Sequence, residues 1–311
     1  MNPVLITGAA GFVGSHLIEL LADEGVDVIG WQRPGTRPLV TTPRVTWAMV
    51  EMHDAAAVVA AVKAAAPAAV YHLAGSAHVG DSWHHTRETF AGNVLATQHL
   101  FEALRAADLR PRVLITGSAM IYKPVDHPIS ERDQIAPNSP YATSKLAQEM
   151  LSQRAWEDDG LPVLIARAFN HVGPRQAPSF VASGIARQIA LIEAGKLPPV
   201  LRMGNLAPRR DIMDVRDTVR AYRAMMSSAS PGAPYNVCGG RALAIQELVD
   251  LFRQHARVPI SVEQDPSKFR PNDTPVIVGD PAKLKADTGW SPAIPLLQTV
   301  VDLLGYWRHA V

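Results

Sequence analysis

Cysteine is almost missing from this chain. Cys238 stands alone among 311 residues, which excludes an internal disulfide and a cysteine-built zinc cluster, and points to a reducing compartment. An excess of one charge is missing too. Thirty Lys and Arg oppose 29 Asp and Glu, for a net charge of +1, so nothing favours a nucleic acid or an anionic membrane as partner. No apolar run reaches the ~18 residues of a membrane span. No HxH or HExxH spacing marks a metal site, and no metal is expected. The chain opens directly on the strand-like VLIT with no basic leader ahead of it, so the expectation is a cytoplasmic protein. What is present is 47% hydrophobic and 19% charged residues, the balance of a folded globular chain, with enough length for one large domain or two lobes.

The first half alternates short β-rich runs with longer apolar-periodic stretches. VLIT (4–7), VDVIGW (26–31), VTWAMV (45–50), AVYHLAG (69–75), VLITGS (113–118) and VLIARAFN (163–170) read as strands. SHLIELLADEG, AAAVVAAVKAAA, NVLATQHLFEALRAADL and YATSKLAQEMLSQRAWEDDG read as helices. This alternation predicts an α/β fold, a doubly wound parallel sheet with helices on both faces. Beyond residue 170 prolines recur and the pattern loosens into a smaller C-terminal α/β lobe. The expected division is 1–170 and 171–311, with a segment near 209–237 returning to the first unit.

Three motifs carry chemistry. GAAGFVG puts Gly8, Gly11 and Gly14 between the first strand and a helix, where a tight turn lets a pyrophosphate approach the helix N-terminus. Its spacing is GxxGxxG, so the GxGxxG fingerprint is not met literally, and an ordinary strand–helix turn is the plainer alternative. The second strand ends in GWQRPGTR. It lacks the acid that holds an adenosine ribose and offers Arg33 and Arg37, which suit a 2′-phosphate and favour NADP(H), unless both are solvated surface charges. YATSK sets Tyr141 and Lys145 four apart on one helix face. There an ammonium is expected to lower the phenol's pKa and tune it for proton transfer to a carbonyl oxygen. Ser118 lies at the end of the preceding strand, in TGSAMIYK.

GAAGFVG, HLAGS, the Gly-Ser pair at 117–118 and YATSK together resemble the extended short-chain dehydrogenases/reductases, most of which act on nucleotide-linked sugars. The likeness spans essentially the whole chain. It implies a catalytic set of Ser118, Tyr141 and Lys145, with Ser118 on the sugar oxygen, Tyr141 as proton donor and Lys145 on the nicotinamide ribose. It also places Phe12 and Val13 at the cofactor pyrophosphate, Glu51 and Met52 near the adenine, and Leu73, Ala74 and Gly75 along the cofactor, with Ser76 and Ala119 toward the substrate. RAFNHVGPRQAPSF, GNLAPRRDIMDVRD, YNVCGG and FRPNDTPVIVGDPAKLKADTGWSP resemble the GDP-mannose-derived branch. The likeness is greatest to reductases of GDP-6-deoxy-4-keto-D-mannose that form GDP-D-rhamnose, and extends to GDP-mannose 4,6-dehydratases. By that likeness Asn170 meets the sugar or its phosphates, while Arg210, Arg270 and Arg187 hold the nucleotide, a task suited to guanidinium groups. The dehydratases carry an acid just after the Ser or Thr of this strand end. Here Ala119 and Met120 stand there, which points to a reductase.

Plainer alternatives accompany these residues. Arg210 could pair with Asp211 or Asp214, and Arg270 with Asp273. His72 and His171 are expected to be structural, and Asn93, opening the helix 93–108, to be an N-cap or a ligand contact. Rival activities are a nucleotide-sugar 4-epimerase, a 4,6-dehydratase with its acid supplied from elsewhere, and a non-catalytic NADP(H) sensor. The resemblance implies a homodimer through helices 93–108 and 141–158.

Overall fold

The computed structural model describes residues 3–269 and 274–311. Its first half supplies β1 (Val4–Thr7), α1 (Phe12–Asp23), β2 (Val28–Gln32), β3 (Val45–Met49), α2 (Ala55–Ala65) and β4 (Ala69–His72). After these come α3 (Thr86–Phe90), α4 (Ala96–Ala106), β5 (Arg112–Ser118), α5 (Pro140–Glu157) and β6 (Val163–Ala168). The second half adds β7 (Asn170–Val172), α6 (Val181–Glu193), β8 (Val200–Met203), β9 (Arg209–Asp214), α7 (Val215–Ser228), β10 (Pro234–Val237) and β11 (Ala242–Ala244). It closes with α8 (Ile245–Gln254), β12 (Ser261–Gln264), β13 (Val276–Ile277), α9 (Ala282–Thr288) and α10 (Leu296–Ala310).

Seven parallel strands in the order β10-β6-β5-β4-β1-β2-β3 make the large sheet. Successive side chains of a strand point to opposite faces, and the core divides accordingly. Ile6, Tyr71, Leu114 and Leu164 pack with Leu17, Ile18 and Leu21 of α1 and with Val219, Tyr222 and Met225 of α7. Leu5, Val70, Val113 and Val163 pack on the other face with Val58 and Val62 of α2 and Leu100, Phe101 and Leu104 of α4. Each fully buried aliphatic side chain stabilises the fold by about 1.5–3 kcal/mol. The near-continuous apolar runs of β1, β4 and β5 therefore require cover on both sides, which excludes an edge position for them.

The second half forms its own core, in which Ile185 and Ile189 of α6, Leu248 and Phe252 of α8, and Val300 and Leu304 of α10 surround Leu201. Residues 209–237 divide between the two sheets. Helix α7 and strand β10 join the large sheet, whereas β9 stays in a small sheet with β7, β11 and β13. RRDIMD holds its place there by pairing with β7, β11 and β13 rather than by burial on both faces.

The helix expected at 93–108 starts earlier. Helix α3 runs through a π-turn at Ala91–Leu95 into α4. Asn93 lies inside that turn and is fully buried, so it is neither an N-cap nor exposed to a ligand.

Candidate active site

The strand ends of β1, β2, β4, β5 and β6 open on one crevice, the place where a doubly wound sheet takes a ligand. Helix α1 begins there at Phe12. Its N-cap, Gly11, offers no side-chain hydrogen bond, and no acid occupies the first turn, so its first N–H groups are open to an anion. Gly8 adopts φ +68°, and a Cβ on it would lie 2.7 Å from the Ala74 nitrogen. At Gly14 a Cβ would meet the Gly8 carbonyl oxygen at 2.6 Å. The loop is thus a cradle that only these glycines leave open, and it fits a pyrophosphate. Gly11 and Val13 complete this turn, and the Phe12 ring stacks on His171 with centroids 6.0 Å apart.

At the end of β2, Arg33 and Arg37 are exposed, and neither has a carboxylate partner among the described residues. Gln32 beside them keeps a buried Oε1 without a hydrogen bond. Past β3, Glu51 is half-buried and accepts the His53 N–H, while Met52 packs on the core below the loop. Leu73 and Ala74 line the crevice from β4, with the Ala74 N–H donating to Thr7 Oγ1 at 3.2 Å. A Cβ at Gly75 would lie 2.5 Å from Asn93 Oδ1. Asn93 has a different task from either one expected: it accepts the Ser76 N–H at 2.8 Å and donates to Ser144 Oγ at 2.9 Å. It therefore pins the loop after β4 to α5.

Ser118, Tyr141 and Lys145 come together at the mouth of β5. They are 5%, 9% and 5% exposed. Ser139 caps α5, its side chain accepting the Ala142 N–H, and Pro140 takes the first turn, a placement that starts the helix one residue before Tyr141. The Tyr141 N–H donates to Ser82 Oγ at 3.2 Å, tying the phenol's backbone to the loop after β4. Ser118 Oγ accepts the Met120 N–H at 3.2 Å and lies beside the Tyr141 phenol. Lys145 Nζ lies 6.0 Å from the Tyr141 ring centroid and donates to the Thr116 carbonyl at 2.9 Å and to Gln148 Oε1 at 3.0 Å.

The expected direction of the phenol's shift is reversed here. Burial pushes Tyr141 above its ordinary value, and the neighbouring Ser118 hydroxyl offsets part of that rise. Burial brings Lys145 down to about 8. Helical spacing placed the two on one face, but desolvation outweighs the attraction an ammonium at that distance exerts. No carboxylate among the described residues acts on the phenol.

The substrate-side residues are more scattered. Asn170 of β7 is exposed and pairs with Ile212, two positions along β9 from Arg210. The two therefore share a face of the small sheet. Arg210 is half-buried and donates to the Thr274 carbonyl at 2.7 Å. Its sequence alternatives are engaged elsewhere. Asp211 accepts the N–H groups of Gly239, Gly240 and Gly279, and Asp214 binds Arg216 and Thr299. Arg187, on α6, is exposed with its guanidinium 5.9 Å from the Trp307 ring. Arg270 lies outside the described residues. Ala119 and Met120 line a cavity of about 10 Å³ together with Lys123, Asn138, Thr274 and Ile277.

Two histidines beside the site are structural. His72 is fully buried between Thr7 and Thr97, and burial drives it down to about 3. His171 donates Nδ1–H to the Phe169 carbonyl. Sequence reasoning missed Thr116, Gln148 and Ser82. Of these only Gln148 left a trace, standing three positions after Lys145 on the same helix face.

A glycine cradle on a seven-stranded parallel sheet, with Ser, Tyr and Lys gathered at β5, defines an extended short-chain dehydrogenase/reductase. Within that class the chain belongs to the GDP-mannose 4,6 dehydratase family, whose model matches residues 5–303. It is 34% identical to GDP-6-deoxy-D-mannose reductase of Pseudomonas aeruginosa, with 99% of this chain and 98% of the relative covered. Among solved structures it is similar to RMD from Pseudomonas aeruginosa complexed with NADPH, with a TM-score of 0.88, 32% identity and all of both chains covered. The UDP-glucose 4-epimerase of Thermus thermophilus complexed with NAD superposes with a TM-score of 0.90 at 28% identity, covering 99% of this chain and 100% of that one.

Proposed function

We propose that the protein reduces the C4 ketone of a GDP-linked 4-keto-6-deoxy-mannose with NADPH, forming a GDP-D-rhamnose type product. The observation that carries this reading is the pairing of a buried Ser118–Tyr141–Lys145 set with Ala119 and Met120 where an elimination needs an acid. Neither a methyl nor a thioether exchanges a proton, so the site keeps the groups for carbonyl reduction and lacks the one for water loss. The likeness to a GDP-6-deoxy-D-mannose reductase over nearly the whole of both chains supports the same choice.

Gly8, Gly11, Phe12, Val13 and Gly14 hold the cofactor's pyrophosphate, and Arg33, with Arg37 beside it, its 2′-phosphate. Glu51 and Met52 border the adenine, and Leu73, Ala74 and Gly75 follow the cofactor toward Lys145. When bound, the reduced nicotinamide supplies a hydride. Tyr141 gives its phenolic proton to the carbonyl oxygen, a role its raised pKa suits because the donor stays protonated at neutral pH. Ser118 donates to the same oxygen as charge builds on it. Lys145 keeps its charge beside the phenol and orients the cofactor ribose. Ser76, Ala119, Asn170, Arg187, Arg210 and Arg270 border the sugar nucleotide, with the guanidinium groups toward its diphosphate. Residues 1–170 with α7 and β10 act as the cofactor lobe, and the remainder of 171–311 as the substrate lobe.

Leu95, at the end of the π-turn that leads into α4, and Met150 of α5 are 43% and 65% exposed. In this reading the two helices meet their counterparts in a homodimer. No helix of the described residues is long and apolar enough to cross a membrane, and we place the enzyme in the cytoplasm.

NADPH consumption measured with GDP-6-deoxy-4-keto-mannose beside GDP-mannose tests the reading. Turnover of the keto sugar alone, abolished by Tyr141→Phe, is the expected result. Loss of GDP-mannose with appearance of a keto sugar would instead make the protein a dehydratase. Retention of cellular function by Tyr141→Phe would make it a sensor.

A further inference from the structure

An ammonium carries three N–H donors, and Lys145 has two of them assigned. One goes to a backbone carbonyl that no side-chain change can move. The other goes to Gln148, whose amide could in principle turn over and present its NH₂ to the cation. A chain of buried hydrogen bonds prevents this. Gln148 Nε2 donates to Thr97 Oγ1 at 2.8 Å. The single Thr97 hydroxyl proton goes to the Asn93 carbonyl at 2.7 Å, so Thr97 Oγ1 can only accept from Gln148. It therefore also accepts from His72 Nε2 at 2.9 Å. His72 Nδ1 then accepts the Thr7 hydroxyl at 2.7 Å, and Thr7 accepts the Ala74 N–H. Every donor in the chain is committed, from the cradle loop beside Gly75 to the ammonium. Gln148, Thr97, His72 and Thr7 are all fully buried.

We propose that Gln148 is a positioning residue for Lys145. Its Oε1, locked by Thr97 and His72, holds the ammonium charged and leaves one N–H for the cofactor. The inference rests on the NADPH-dependent reading of this site. The titratable groups facing Nζ are few. His72 faces it from β4 and Tyr141 from its own helix, whereas β5 presents only the Thr116 carbonyl and the α3–α4 helix the neutral Asn93 and Thr97. His72 is held neutral and burial keeps the Tyr141 phenol above its ordinary value, so the first alkaline loss of NADPH binding reports on Lys145.

The test is the NADPH dissociation constant of the full chain, followed by protein fluorescence from neutral to alkaline pH. Wild type, Gln148→Met, Gln148→Glu and Thr97→Val are compared, with each melting temperature recorded. Losing a hydrogen bond to a charged group should weaken NADPH binding by roughly tenfold in Gln148→Met and move the alkaline loss of affinity down by about one pH unit. Gln148→Glu places a carboxylate on the cation and should move that loss to higher pH. Thr97→Val frees the amide to turn and should behave as a weaker Gln148→Met. Opposite movement by the Met and Glu variants is the signature, and Gln148→Glu with Thr97→Val still decide the matter if Gln148→Met does not fold. Alkaline limbs that overlay the wild type, whatever happens to the melting temperature, would reduce Gln148 to a packing residue. Wild type that binds NADPH but leaves the keto sugar untouched would overturn the substrate reading while the titration still decides this one.

Discussion

Helix α5 carries two buried charges four residues apart, and the protein treats them in opposite ways. Glu149 takes Arg167 in a two-pronged pair, one bond of 3.0 Å and a second between Nη2 and Oε1, while the guanidinium also reaches the Tyr122 hydroxyl and the Glu131 carbonyl. Burial works against that cation, but the Glu149 bonds win and hold Arg167 above its ordinary value. Lys145 receives no carboxylate, only two neutral oxygens, and burial brings it down to about 8. The difference separates a structural charge from a working one. Arg167 is neutralised where it stands, whereas Lys145 keeps an uncompensated charge and an uncommitted N–H for a ligand to complete.

Substitution at each end should separate the two most sharply. Lys145→Met should lower turnover by about 10³-fold, within the range a misplaced acid–base system loses, while the melting temperature stays level or rises because a desolvated cation is gone. Arg167→Met should do the reverse. Leaving Glu149 buried without its partner should cost about 3–5 kcal/mol by denaturant unfolding, with turnover per folded molecule close to wild type. If Arg167→Met instead removed turnover without touching stability, the contrast would fail.

The contrast also carries a pH sign. An unfolded lysine keeps its proton up to its ordinary value of 10.5, and folded Lys145 gives it up near 8. Between those values the unfolded chain binds the additional proton, so this residue's contribution to stability grows as pH rises through the window. NADPH affinity falls across the same window as the ammonium is lost. The unfolding free energy of wild type should thus rise relative to that of Lys145→Met above about pH 8 while the wild type's NADPH binding weakens. Parallel curves would mean that the lysine keeps its proton. The smallest effect belongs to the surface. On the proposed reading Arg33 meets the cofactor's 2′-phosphate, so Arg33→Ala should weaken NADPH binding by about tenfold, leave NADH binding unchanged, and lose its effect as salt is raised.

Much of this was legible in the residues. Strand–helix alternation defined the parallel sheet, and GAAGFVG with YATSK located the cradle and the Tyr–Lys face. The small lobe was harder because its strands run from two to six residues, too short for a period to register, and β9 keeps its place by pairing with β7, β11 and β13. The π-turn was invisible for another reason. Apolar spacing resumes at Asn93, a residue type that caps helices, while Thr86, Arg87 and Glu88 before it are exposed and show no stripe. The sign of the Tyr141 shift could not be read at all, because spacing along a helix reports neighbours and says nothing about water.

One consequence of the cradle concerns how this protein can change. At Gly30 a Cβ would meet Trp47 Cζ3 at 2.9 Å and the Ala9 Cβ at 3.1 Å. Those obstacles are side chains, so a compensating change at Trp47 or Ala9 can make room. At Gly8 the obstacle is the main chain of Leu73 and Ala74, which every possible side chain shares. A lineage that replaced Gly8 would find no second substitution to restore it, and reversion would be its only way back.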